Sequence, residues 1–68
     1  MTTQERIALN PVMAALALNI ARLQIEGKDD ATKAEFKRAC DNYGGYNGLF
    51  LAQFSDMVGH FAVELRLL

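Results

Sequence analysis

From Leu9 to Ile25 apolar side chains recur at helical spacing on two seams at once. Leu9, Met13, Leu16, Ile20 and Leu23 follow alternating steps of four and three, and Ala14, Leu18, Ala21 and Ile25 repeat the rhythm on a neighbouring face, with Ala17 between them. Such steps keep side chains on one side of a 3.6-residue helix, so two seams predict a helix buried on more than one side. Asn10 and Pro11 supply its opening: an Asn side chain can accept from a free first-turn amide, and Pro loses nothing at the first helical position. Gly27 supplies its end, because glycine takes the left-handed conformation that closes a helix. The first helix is therefore expected over about residues 11–26.

Residues 26–41 carry nine of the fifteen charged side chains. This stretch reads as a solvated hinge. Thr32 and Glu35 have capping-box spacing, with Asp29 and Asp30 as alternative caps, so a second helix is expected over about 31–43 with Phe36, Ala39 or Cys40, and Tyr43 on its apolar side. Gly44, Gly45 and Gly48 follow, and each costs a helix interior about 1 kcal/mol relative to Ala. Yet the register crosses them, running Phe36, Cys40, Tyr43, Asn47, Phe50, Phe54, Met57, Phe61, Leu65 and Leu68. Two forms fit: a turn capped by Asn47, or one helix bent at the glycines. A straight helix from Thr32 to Leu67 would measure about 54 Å, so a break or bend near 44–48 is favoured. The last helix, about 48–67, is apolar except for a stripe of Gln53, Asp56, His60 and Glu64. With no strand alternation anywhere, the class is all-α, with two to three helices according to whether the last two are one.

Length changes this picture. The chain has 68 residues, 51% hydrophobic, with a net charge of -1, which excludes disorder and makes one small domain. A domain of about 60 residues has a marginal core and needs a staple. Cys40 is the one cysteine and His60 the one histidine, so neither a disulfide framework nor a four-ligand zinc site is expected. Oligomerisation is the staple left. We expect an intertwined homodimer in which Leu16, Ile20, Leu23, Phe54 and Phe61 contribute to one core spanning both subunits. The charge-free stretches 7–21 and 42–55 are interrupted by Asn10, Pro11 and Asn19 and by three glycines, so no membrane span is expected. The start has no cleavage pattern after its apolar run, and a cytoplasmic location is the expectation.

Candidate chemistry adds little. Asp56 and His60 are four apart and meet on a helix, but without a nucleophile such a pair is a surface ion pair, and Cys40 lies in the apolar register. The glycines lack the Lys-Ser or Lys-Thr of a phosphate loop. Neither enzyme activity, cofactor nor metal is expected. Lys33, Lys37 and Arg38 form the one basic cluster, interleaved with Glu35 and Asp41 at a sequence pI near 5.6, so direct nucleic-acid binding lacks its electrostatic footprint. Protein binding remains. Tyr43 and Tyr46 flank Gly44 and Gly45 beside Lys37, Arg38 and Asn47, joining aromatic anchors to a polar rim at a place of backbone freedom.

Positions 8–23, Ala-Leu-Asn-Pro-Val-Met-Ala-Ala-Leu-Ala-Leu-Asn-Ile-Ala-Arg-Leu, and Tyr43-Gly-Gly-Tyr-Asn-Gly-Leu-Phe50 bring the chain close to one group. It resembles the small early proteins of Pseudomonas phages that act as quorum-sensing anti-activators, over about residues 8–68. The resemblance is one of length, composition and overall look. It implies a short, helical, dimeric protein-binding inhibitor of a LuxR-type transcription regulator, with the ATPase that drives type IV pilus assembly as a second target. No motif in it encodes a chemistry or transfers a site residue. The alternative reading is a small DNA-associated helical adaptor or repressor cofactor.

Overall fold

A computed structural model describes residues 2–42 and 48–67, and among them every regular element is a helix. There are four helices where two to three were expected: α1 (Thr3–Leu9), α2 (Pro11–Ile25), α3 (Asp29–Asn42) and α4 (Gly48–Leu67). The addition is α1. It starts with a capping box in which Thr2 Oγ1 accepts from the Glu5 amide at 3.2 Å and Glu5 Oε1 accepts from the Thr2 amide at 3.3 Å. That reciprocal pair satisfies two first-turn donors.

Asn10 alone separates α1 from α2. The ring of a proline pushes the preceding residue out of helical backbone, and Asn10 accordingly sits at φ -131°, ψ 68°. The helix direction bends by 119° there. Asn10 does not cap α2 with its side chain as expected. Its Nδ2 donates backward to the Arg6 carbonyl at 3.3 Å, closing α1 instead.

The end of α2 follows the expected chemistry. Gly27 has φ +74°, the Gly27 amide donates to the Gln24 carbonyl at 3.1 Å, and the Lys28 amide donates to the Leu23 carbonyl at 3.0 Å. This paired arrangement is the Schellman motif, and the left-handed residue within it favours glycine. Helix α3 then starts at Asp29, earlier than Thr32 and Glu35 suggested. Both the Thr32 amide and its hydroxyl donate to the Lys28 carbonyl, at 2.9 and 2.8 Å, so Thr32 lies inside the first turns rather than capping them. Asp29 and Asp30 hold the first turn, where negative charge complements the helix dipole. The choice between a turn and a bend after α3 falls on 43–47, outside the described residues.

Helix α2 is central, packing against α1, α3 and α4. Its buried residues are Met13, Ala14, Ala17, Ile20 and Ala21. They combine two residues of each predicted seam with the alanine between, so the inner face lies between the two seams, over about 120° of the helix at 100° per residue. Ala17, Ala21 and Ala39 are fully enclosed, and small side chains at such contacts let helices lie close together. Phe54, Ile20, Met57 and Cys40 are the largest fully enclosed side chains. The Phe54 ring centroid is 5.1 Å from that of Phe50 and 5.6 Å from that of Phe36, contacts worth about 0.5–1.5 kcal/mol each beyond their burial. Among the described residues no polar or charged residue is buried. Packing alone holds the centre.

Candidate functional site

The residues expected to bind a partner fall in two groups. Lys37 and Arg38 are exposed on α3, and the Arg38 guanidinium donates through Nη1 to Glu35 Oε1 at 2.9 Å. With the arginine side chain 71% exposed, this pair contributes about 1 kcal/mol at most and leaves the guanidinium free to exchange partners. Tyr43, Tyr46 and Asn47 lie outside the described residues.

The residues expected at a dimer interface also divide. Ile20 and Phe54 are enclosed within the single chain, so each belongs to the chain's own core. Leu16, Leu23 and Phe61 are half-buried. On α2, Leu16 and Leu23 share a flank with Val12, the three lying within about 40° of one another. Val12 is 67% exposed. Leu16 packs with one side against the core, so the chain covers this apolar flank only in part.

Helix α4 shows the same at its far end. Its inner face runs Phe50, Phe54, Met57, Val58, Phe61 and Leu65, yet Phe61 and Leu65 are half-buried while the earlier four are buried. Ala62 between them is buried, and Phe61 and Leu65 both pack against the core with one side while the other stays open. Val63 and Leu67, four apart, are exposed on another face of α4, about 120–160° around the helix from Phe61 and Leu65. Apolar side chains therefore lie open along the flank of α2 and at the end of α4.

Between α2, α3 and α4 runs a half-open groove of about 280 Å³. Ile20, Phe36 and Val58 make its apolar wall, and Gln24 and Ser55 bring an amide and a hydroxyl to it. Gly59 forms part of its edge, and a Cβ there would meet nothing within 4 Å. No packing inside the chain requires glycine at this position, although glycine weakens a helix interior. Gln24 and Gly59 were legible in sequence only as a polar interruption and a helix-weakening residue. Neither reveals a groove.

The titratable groups are arranged differently from the simple stripe on α4. Asp56 and His60 do not pair with each other: Asp56 Oδ2 accepts from Arg6 Nη1 at 3.4 Å, and His60 Nε2 lies 3.0 Å from Glu64 Oε1. Helix α1 explains the exchange, since it packs on α4 and brings an arginine to the stripe. The signal available in sequence was the Thr2 to Glu5 capping box, which announces a helix before Asn10. Cys40 is fully enclosed, as its register predicts. Burial pushes its thiol above the ordinary range, and the charge of Asp41 adds to the rise, the opposite of what activates a cysteine nucleophile. Among the described residues no three His, Cys, Asp or Glu side chains gather as a metal site. Compared with known protein families, curated proteins and solved structures, the chain matches none.

Proposed function

We propose that the chain is a non-enzymatic protein-binding inhibitor: a phage early protein, acting as a homodimer in the bacterial cytoplasm, that binds and blocks a LuxR-type quorum-sensing regulator and, as a second target, the type IV pilus assembly ATPase. The observation that carries the protein-binding part is apolar surface that the chain leaves exposed or only partly covered: Val12 with the half-buried Leu16 and Leu23 on α2, and Val63 and Leu67 on α4. Apolar side chains in contiguous strips, unlike ones scattered singly, mark contact surfaces. We assign the α2 flank and the end of α4 to the second copy. Target recognition falls to Arg38, Lys37, Tyr43, Tyr46 and Asn47, where tyrosine and arginine supply the residue types of binding hot spots. The choice of target rests on the resemblance to phage anti-activators.

Capture from a bacterial lysate with the tagged chain, followed by calorimetry on the purified regulator, tests this reading. The expected result is one or two defined proteins and a regulator that binds directly. A chain that instead shifts DNA at low salt, and captures no regulator, would replace the inhibitor with the DNA-associated adaptor.

A further inference from the structure

Helix α1 is attached to the bundle differently from the other three. It has seven residues and none of them is buried. Isolated helices shorter than about 12–15 residues are marginal in water, so α1 keeps its form only while docked. Its side-chain attachments are the half-buried Ile7, packed against the core, and the Arg6 to Asp56 pair at 3.4 Å, whose side chains are 29% and 60% exposed.

The backbone isolates it further. The amides of Arg6 and Asn10 donate to the Thr2 and Arg6 carbonyls, closing α1, while the Ala14 amide donates to the Asn10 carbonyl, beginning the ladder of α2. The two ladders meet at Asn10 alone. Pro11 has no amide to reach back with, and it keeps Asn10 out of helical backbone.

We propose that α1 is a strap that opens as one unit on the Asn10–Pro11 hinge while α2, α3 and α4 stay folded. Opening breaks one exposed ion pair, lifts Ile7 from its seat and leaves every hydrogen bond of α2 intact. It frees Asp56 and adds Ile7 and its seat to the apolar surface that already includes Leu9 and Val12 on either side of the hinge.

Amide hydrogen exchange on the full chain, at a pH where rates report open populations, tests this. The Arg6 to Asn10 amides should share one protection factor, roughly a hundredfold below those of Ala17 and Phe54. Asp56→Asn, which keeps the shape of the side chain and removes its charge, should lower the α1 factor up to about fivefold, and Ile7→Ala should lower it more. Neither should change Ala17 or Phe54. Equal protection in α1 and at Ala17 and Phe54 would make α1 part of the global unit and overturn the proposal. So would protection that rises residue by residue from Arg6 to Asn10 and ignores both variants, since that is fraying rather than opening.

Discussion

Helices α1 and α2 adjoin at a single residue and are held by different physics. Helix α2 buries five side chains and takes its stability from packing, whereas α1 buries none and depends on a cap, one ion pair and Ile7. Apolar periodicity reports the first kind of helix. Local polar chemistry reports the second. The same contrast appears within α2, whose inner face between the seams is closed by its own chain and whose Val12, Leu16 and Leu23 flank is covered only in part.

The contrast breaks most visibly at Phe54. Truncation to Ala removes a fully enclosed ring and its contacts with Phe36 and Phe50, which should cost about 3–5 kcal/mol in urea unfolding. A loss under about 1 kcal/mol would mean that the centre is not the packed core described. Next in size is Gly27→Ala, at the left-handed end of α2. It should cost about 1–2 kcal/mol, and an unchanged midpoint would contradict the Schellman closure.

Gly59→Ala should go the other way. The added Cβ meets open space, so stability should rise by about 0.5–1 kcal/mol. If target capture falls while stability rises, the groove beside Gly59 is in use; if stability falls, the groove is not open. The smallest global effect belongs to α1. Thr2→Ala removes the capping box and should change global stability by less than about 0.5 kcal/mol while loosening α1 itself, read as faster exchange at Arg6.

The Cys40 thiol supplies a pH test of the closed interior. Its native pKa lies above the unfolded value, so the folded chain holds the proton more tightly. The resulting stabilisation is present in full below the unfolded thiol range and is lost as pH rises through the raised native value. Native Cys40 should react slowly with a thiol reagent at pH 8 and quickly once urea unfolds the chain. Fast reaction without urea would show that the site is open.

Much of the fold was legible because its signals are local and redundant. Asn10–Pro11 and Gly27 bracket α2 within a residue, and Phe50, Phe54 and Met57 place the inner face of α4. The two seams of α2 were harder to read. Periodicity shows which side chains share a face, but not that the buried arc falls between two faces, since that depends on where α3 and α4 lie. Helix α1 is too short to show a period, and its signal was the Thr2 to Glu5 spacing. The pairing of Asp56 with Arg6, fifty residues apart, depends on tertiary contact. Of the candidate recognition surface, Lys37 and Arg38 are exposed as a binding role requires, and the rest falls on 43–47.

The central claim is that the apolar flank of α2 and the end of α4 are covered by a second copy. Sedimentation equilibrium at micromolar concentration tests it most directly. The account predicts a species of twice the 7.5 kDa chain mass, reduced to the single chain by Val12→Asp or Leu23→Asp with the helical spectrum retained. A folded, highly helical species of 7.5 kDa for the parent chain would contradict it.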